Sequence, residues 1–322
     1  MHSDSDKISV QVLGPFSAIL QQQIVTPTAA KQRQILALLA LRSGQVVTRS
    51  TLAEELWGSH PPRSFAVTLQ TYIFQLRRRL ANAFPEKRDT KHFLSTRHFG
   101  YMLECQTDVD EFQRLARAGR EAAEAGNPRI ASELLSRALT LWRGPALVDV
   151  GQGSVLEVEA AALAQARLGI LEIRIECDLA MNRHNTVISE LISLVAEHPL
   201  SENFCGLLMR AYYHSGHTVQ ALEAFRRLRA ALNQELGLEP SLRLQRVHQS
   251  ILSGELTANV SDLFLQPPET DLDRKHSDAN KKLKGQATTT HLQYFTSNPY
   301  SMPQVRRLGH RTPSARDDRL LN

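Results

Sequence analysis

The chain has 322 residues, 42% of them hydrophobic, and a formal net charge of +5 at pH 7. This length suits two packed domains, because single domains usually contain about 100 to 200 residues. The sequence has no run approaching the ~18 apolar residues of a membrane-spanning helix, and its first residues lack the basic and apolar regions of a signal peptide. We therefore expect a cytoplasmic protein with no membrane partner.

The residue types that usually carry covalent or metal chemistry are sparse. Cys105, Cys177 and Cys205 lie far apart and form no Cys-x-x-Cys pair, so neither a disulfide framework nor a zinc site is predicted. No Ser/His/Asp set, pair of catalytic carboxylates or assisted cysteine nucleophile stands out. We expect buried free thiols, no cofactor, no small-molecule ligand and no enzymatic activity.

Positive charge is concentrated in the first third of the chain. Residues 27–101 contain twelve Lys or Arg against four Asp or Glu, an excess of eight where the whole chain has five. The remainder is therefore slightly acidic. A local basic excess is typical of polyanion binding, because neutralised phosphates release counterions. Nucleic acid is the favoured polyanion, and a membrane surface is the competing one.

The first third also predicts a small sheet, three helices and a β-hairpin. Alternating apolar residues predict the strands, and Ser, Thr, Gly and Pro mark where the helices begin and end. The predicted elements are strands at 8–20 and 23–25, helices from Ala29 to Ser43, from Thr48 or Ser50 to Gly58 and over 63–80, and strands at 92–97 and 99–103. Helix, helix, helix and hairpin is the order of a winged helix-turn-helix.

The third predicted helix, residues 63–80, carries two different faces. Apolar residues at the spacing i, i+3, i+4, i+7 and i+11 predict a buried stripe. The stripe consists of Leu69, Tyr72, Ile73, Leu76 and Leu80. The opposite face has no acidic residue and consists of Val67, Thr71, Phe74, Gln75 and Arg78. A solvated amphipathic helix would look similar, but the surrounding elements favour a helix that lies in the DNA major groove.

The second half predicts helices from about Asp108 to Gly254 with hints of a repeated helix pair. Small polar turns at 125–127 and 215–217 are each followed by a similar apolar run, a degenerate tetratricopeptide-like pattern. Such repeats usually contact another protein, and a plain all-α packing domain is the alternative. Trp57 and Trp142 are expected to anchor the core or a domain interface.

Two further features leave alternatives open. His214 and His217 are three residues apart, which suits a metal pair, but Gly216 interrupts the helix, so solvated loop histidines are favoured. Residues 255–322 are rich in polar and charged residues without an apolar period, which predicts a disordered tail. The aromatic residues of that tail leave open a weak docking role besides that of a dispensable segment.

From Ile8 to Gly254 the chain resembles the Streptomyces antibiotic regulatory protein family of transcriptional activators. The resemblance rests on short motifs found in both halves. They are Val12-Leu13-Gly14, 31–39 (KQRQILALL), 55–58 (ELWG), 68–73 (TLQTYI), 75–78 (QLRR), Gly100-Tyr101, 138–147 (ALTLWRGPAL), His198-Pro199-Leu200 and 235–240 (ELGLEP). The sequence lacks a Walker A motif, so the ATPase module of larger family members is not expected. Only about seven residues precede the first predicted strand, so a phosphorylated receiver domain is not expected.

The resemblance implies an architecture and a function. It implies an α+β winged helix of the two-component (response-regulator) output type over 1–104, an all-α, tetratricopeptide-like bacterial transcriptional activation domain over 105–254, and a tail over 255–322 without a family counterpart. It further implies a homodimer on double-stranded DNA, bound to direct repeats near promoters of an antibiotic pathway, and contact with RNA polymerase holoenzyme. A repressor with the same fold and an adaptor whose basic domain binds an acidic protein remain alternatives.

The outward face of the third helix supplies the predicted base and phosphate contacts. Gln75 suits the N6 and N7 edge of adenine, and Thr68 and Thr71 offer a hydroxyl and a methyl group to bases or phosphate. Arg77 and Arg78 are expected on phosphates, with guanine as an alternative for Arg78.

The remaining predicted DNA contacts surround that face. Arg79 is a further candidate for phosphate, as are Arg49 and Lys31 near the starts of the first two helices. Arg97 and His98 in the hairpin turn are placed for the backbone or minor groove, with a plain solvated turn as the alternative. An exposed Phe74 calls for an apolar partner, either thymine methyl groups or the wing or a neighbouring protomer.

Overall fold

A computed structural model describes residues 7–84 and 93–255 of the chain. In chain order the elements are β1 (Ile8–Gln11), β2 (Ser17–Leu20), β3 (Gln23–Ile24), α1 (Ala30–Leu41), β4 (Val47–Thr48), α2 (Arg49–Trp57), α3 (Phe65–Ala81), β5 (Leu94–Arg97), β6 (Gly100–Leu103), β7 (Cys105–Thr107), α4 (Asp108–Glu124), α5 (Pro128–Thr140), α6 (Ser154–Ala180), α7 (His184–Glu197), α8 (Glu202–His214), α9 (Thr218–Leu236) and α10 (Leu242–Ser253). Apart from residue 255, the predicted tail lies outside the described residues.

The N-terminal part is an α+β winged helix followed by a helical domain, which confirms the predicted fold class. One sheet has the strand order β3-β2-β1-β7, in which β1 pairs antiparallel with β2 and parallel with β7. The other has the order β4-β6-β5 and contains the predicted hairpin. The hairpin closes with Arg97 opposite Gly100, so residues 98 and 99 form its turn.

Local chemistry explains where the helices of the winged helix begin. The Thr48 hydroxyl accepts a hydrogen bond from the Thr51 backbone N–H at 3.1 Å, so Thr48 is the N-cap of α2 and Ser50 lies inside the helix. α3 begins at Phe65, two residues later than predicted, because the backbone of Ser64, the residue before the helix, is not helical. Prediction of helix ends from sequence commonly errs by this much.

Gly100 allows strand β6 of the wing to approach strand β4 closely. A Cβ at this position would lie 2.0 Å from the Val47 carbonyl oxygen, on the neighbouring strand β4. Any larger residue would therefore push β6 away from β4. Since β6 carries the wing, the glycine fixes where the hairpin turn sits beside α3.

The helical domain consists of antiparallel helix pairs with tight turns. α4 begins with a capping box, in which the side chains of Thr107 and Asp110 bond each other's backbone N–H groups. A Cβ at Gly119 would lie 2.4 Å from the Leu135 side chain, so the glycine lets α4 and α5 pack closely. No helix of the described residues is long and apolar enough to cross a membrane.

Some predicted core residues are confirmed, and one histidine prediction is wrong. Trp142 is buried, with its ring edge against Phe112 at a centroid distance of 5.5 Å, and Trp57 packs half-buried on the same core. His214 is not a loop residue, because it ends α8 and its ring stacks on His184 at 4.7 Å. No group of three potential metal ligands occurs in the described residues.

The three thiols are free. Cys177 and Cys205 are buried, as expected, whereas Cys105 is half-buried. Burial raises the pKa of Cys105 and Cys177 to about 11 and that of Cys205 to about 12. All three are therefore protonated and poorly nucleophilic at neutral pH.

A continuous core joins the winged helix to the helical domain. It runs from the first sheet and α1 through α4 to the N-terminal half of α6. Polar contacts reinforce it: the Asp108 carboxylate accepts the backbone N–H groups of Val12 and Leu13 at 2.8 and 3.1 Å and an N–H of Arg143 at 2.9 Å. The boundary predicted at 104/105 stays a prediction, since it falls beside a strand that pairs with β1.

Candidate nucleic-acid interface

The two faces of α3 are separated as the sequence predicts. Leu69, Ile73, Leu76 and Leu80 are buried, and Tyr72 packs half-buried against the same core. The opposite face is open to solvent, and the helix contains no acidic residue. Its exposed members are Val67, Gln70, Thr71, Phe74, Gln75 and Arg78. The structure therefore presents a neutral to basic helix face with its supports behind it.

The Arg77 guanidinium connects α3 to the wing. Its Nε donates to the Leu94 carbonyl at 2.9 Å, and its Nη2 donates to the Thr96 hydroxyl at 2.8 Å. These bonds neither require nor exclude a contact with DNA. The predicted phosphate role thus stays a prediction, but Arg77 also holds β5 in place.

Arg79 and Gln75 lie on the other flank of α3. Arg79 donates to the Thr26 backbone carbonyl at 3.3 Å. The side-chain Oε1 of Gln75 accepts a hydrogen bond from the side-chain Nε2 of Gln32 in α1 at 2.5 Å. An open groove lies between this flank, strand β3 and the start of α1. The wing and this groove therefore border opposite sides of the exposed face of α3.

Arg78 is the basic residue of α3 best placed for a phosphate. It is exposed in the last turn of the helix, and its guanidinium makes no hydrogen bond or ion pair with any residue that the structure describes. Because a guanidinium carries several donors on a rigid plane, it can bind two oxygens of one phosphate.

The hydroxyls of Thr68 and Thr71 are partly occupied. They donate to the carbonyls of Ser64 and Val67, one helical turn earlier, at 3.1 and 3.0 Å. Each hydroxyl oxygen keeps an acceptor site, and each side chain keeps its methyl group. Thymine methyl groups and donors on cytosine or adenine are therefore their matching partners.

Phe74 points into solvent instead of packing on the wing. It is 65% exposed, and Val67 is 66% exposed on the same face. The prediction that Phe74 packs against the wing of its own chain is therefore wrong for the residues that the structure describes. Thymine methyl groups and a neighbouring protomer stay open.

The wing turn presents three exposed side chains. Arg97 and His98 are exposed, as predicted, and Phe99 is 71% exposed with the His98 ring edge-on at 4.3 Å. The sequence pattern does not indicate that Phe99 is a surface residue, because an apolar residue at the end of a predicted strand is usually part of the core. Its place in a two-residue turn was the available signal.

Lys31 and Arg49 are tied into the protein more than predicted. The Lys31 ammonium donates to the Leu56 carbonyl near the end of α2, where a cation is favoured by the helix dipole. Arg49 is half-buried at the start of α2, and its backbone N–H donates to the Phe99 carbonyl at 3.1 Å. Because an ammonium has three N–H donors, this internal bond does not exclude a phosphate contact by Lys31.

Both parts of the chain match known families. Residues 23–103 match the C-terminal domain of transcriptional regulatory proteins, and residues 107–252 match the bacterial transcriptional activator domain. The chain is 45% identical over 253 residues to the regulatory protein DnrI of Streptomyces peucetius, which covers 77% of this chain and 93% of DnrI. The chain belongs to the Streptomyces antibiotic regulatory protein family. It is therefore a transcriptional activator and, as such, a DNA-binding protein, which confirms the predicted family.

The chain is also similar to a second curated regulator and to a solved structure. The transcriptional regulator RedD of Streptomyces coelicolor is 34% identical over 270 residues, which cover 83% of this chain and 76% of RedD. A solved structure of Mycobacterium tuberculosis EmbR, in complex with a low-affinity phosphopeptide, matches with a TM-score of 0.72 and 30% identity. That match covers 86% of this chain and 70% of the EmbR chain.

In this activator, a buried carboxylate connects α2 to the start of α6. Glu55 of α2 is 2% exposed and accepts hydrogen bonds from the Gln34 side chain and from backbone N–H groups at the start of α6. In the sequence, Glu55 belongs to the motif at 55–58 (ELWG), which does not predict its contacts. Its contacts bridge residues far apart in the chain, so no local pattern could reveal them.

Proposed function

We propose that this activator binds direct repeats near the promoters of an antibiotic biosynthetic cluster as a homodimer on DNA, and that it recruits RNA polymerase holoenzyme. The carrying observation is the exposed face of α3, which has no acidic residue and is bordered by the wing on one flank and the β3 groove on the other. Such a face fits the major groove, whose width admits one α-helix. The proposal places the protein in the cytoplasm, on the bacterial nucleoid.

Phosphate and base contacts have separate roles in this proposal. Arg78, Arg77 and Arg79 bind phosphates and fix the register of the helix, and the wing residues Arg97 and His98 reach the adjacent backbone. Phosphate contacts carry little sequence information. They weaken on every DNA sequence when salt is raised, because their affinity comes from the release of counterions.

Base readout falls to the middle of the helix. Gln75 reads adenine, Thr68 and Thr71 contact bases, or phosphate when their hydroxyls turn away from the helix carbonyls, and Phe74 covers thymine methyl groups. The 65% exposure of Phe74 supports this role, since an apolar ring in water gains free energy when it is covered.

The helical domain contributes a surface for RNA polymerase. Its helix pairs resemble tetratricopeptide repeats, which usually bind other proteins. Because the Glu55 and Asp108 contacts hold the helical domain against the winged helix, a subunit bound to DNA presents that surface in one orientation. Two subunits on the same face of the duplex require repeats spaced by whole turns, roughly 10 to 10.5 base pairs.

The proposal is tested with the purified full chain on DNA that flanks its own gene. Footprinting is expected to protect two direct repeats, and transcription with purified RNA polymerase holoenzyme is expected to increase when the protein is added. Protection followed by reduced transcription would identify a repressor. Equal retention on heparin and on duplex DNA across a salt series, with no protected site, would favour the adaptor alternative.

A further inference from the structure

Gln32 of α1 connects the recognition face to the body of the winged helix. Its side-chain amide N–H donates to the Gln75 carbonyl oxygen at 2.5 Å, across 43 residues of sequence. Gln32 is half-buried, whereas Gln75 is exposed. The Gln32 side chain of α1 therefore holds the Gln75 side chain on the exposed face of α3.

We infer that Gln32 is a positioning residue that presets the Gln75 amide for reading one base pair. The inference rests on the proposed placement of α3 in the major groove. Gln32 itself contacts no base in this arrangement. It acts through Gln75, by limiting the directions in which the Gln75 amide can point.

The bond from Gln32 leaves Gln75 the groups that adenine requires. A carbonyl oxygen accepts two hydrogen bonds, so one acceptor site of Gln75 remains after Gln32 has taken the other. Both amide N–H groups of Gln75 also remain. One free acceptor and one free donor side by side match the N6 amino group and N7 of adenine.

A free glutamine would read the same base less selectively. Its long side chain samples many rotamers, and ordering them on DNA costs conformational entropy. A side chain already ordered in the free protein avoids most of that cost when it meets the matching base, which is the general benefit of preorganisation. The gain is lost on a mismatched base, where the held amide cannot turn to find another partner.

The chemistry of residue 32 provides a sharp set of variants. Gln32→Met keeps the shape and removes the bond. Gln32→Lys only donates, so it can still bond the Gln75 carbonyl and leave the amide facing as before. Gln32→Glu only accepts at neutral pH, so Gln75 must donate to it and turn its donor and acceptor relative to the base. Gln106→Met, at an exposed position on β7, is the matched control.

The full-length protein and each variant are used to select binding sites from a pool of random duplex DNA, followed by sequencing. Gln75→Met is expected to relax selection at one position of the site. Gln32→Met should relax the same position about three- to tenfold, and the double variant should match Gln75→Met alone. Gln32→Lys should keep the base preference despite its added charge, and Gln32→Glu should lose or change it.

Other results would overturn the inference in distinguishable ways. If Gln75→Met relaxes a position but Gln32→Met selects the wild-type site, Gln32 does not position Gln75 and the proposed function stands. If Gln75→Met changes nothing, the base-reading role of Gln75 fails as well. If Gln32→Met weakens binding to all sequences and also lowers the free energy of unfolding in urea, the bond serves only the packing of α1 on α3.

Discussion

Glu55 and Gly153 form a close contact between the winged helix and the helical domain. The Gly153 backbone N–H donates to the Glu55 carboxylate at 2.7 Å, and a Cβ on Gly153 would lie 2.1 Å from the Glu55 carbonyl oxygen. The same carboxylate accepts the N–H groups of Val155 and Leu156 at 3.0 and 2.9 Å. One buried side chain thus accepts backbone N–H groups at the start of α6 that have no partner within the helix.

Replacing Gly153 tests how much this contact stabilises the fold. Gly153→Ala is expected to lower the free energy of unfolding by about 2 kcal/mol or more, because either α6 must move or the Glu55 bonds must lengthen. Urea unfolding of the full chain measures this. Gly151→Ala is the control, since a Cβ there meets no atom within 4 Å. Equal loss in the two variants would show that the Glu55 contact contributes little.

Arg78 is expected to act on DNA affinity without acting on sequence preference. Arg78→Ala should weaken binding to all duplexes and reduce the slope of log affinity against log salt by about one, because one phosphate contact is lost. Titration of a labelled duplex at several salt concentrations measures the slope. Arg227→Ala removes a guanidinium from the helical domain and should leave the slope unchanged. An equal change in both variants would mean that only net charge matters.

Arg77 is expected to behave differently, because it supports the wing. Arg77→Lys keeps the charge but cannot reproduce the two bonds to Leu94 and Thr96. We expect an almost unchanged salt slope, with weaker protection of the DNA next to the wing in hydroxyl-radical footprints. If Arg77→Lys instead matches wild type in both measurements, the bonds to β5 do not orient the wing.

Phe74 is expected to couple to thymine methyl groups. Replacing thymine by uracil at the contacted position should weaken wild-type binding by about 1 kcal/mol, close to the transfer free energy of one buried methyl group. The same replacement should have little effect on Phe74→Ala, so the double cycle isolates the contact. Phe99→Ala, which removes the exposed ring of the wing, is the comparison. If uracil weakens Phe74→Ala as much as wild type, the ring covers something other than thymine.

Sequence analysis predicted the parts of the interface that depend on local pattern. The buried stripe of α3 follows from helical periodicity, and the exposure of Phe74 follows from its place on the opposite face. The contacts of Gln32 with Gln75 and of Glu55 with Gly153 depend on how distant helices pack, 43 and 98 residues apart in sequence. A single sequence carries no pattern for such pairs. His214 was misplaced for the same reason, because its stacking partner His184 belongs to a different helix.

The histidines of the helical domain predict a pH dependence of stability. Burial lowers the pKa of His184 and His214, which stack where the start of α7 meets the end of α8, and the nearby Arg210 guanidinium lowers both further. The folded state therefore binds fewer protons than the unfolded state just below the ordinary histidine pKa of about 6.5. The free energy of unfolding is therefore higher above that pH and decreases as the pH falls toward the pKa values of the two histidines in the folded state.

The carboxyl group of Glu176, which interacts with Arg210, titrates in the opposite sense. Burial raises its pKa, so the folded state gains protons there as the pH falls. A His184→Gln, His214→Gln double variant separates the two effects, because it removes the imidazoles and leaves the carboxyl group in place. Wild type should lose more free energy of unfolding in urea between pH 7 and about pH 5.5 than the double variant. Parallel losses would show that the histidine stack does not sense pH in this range.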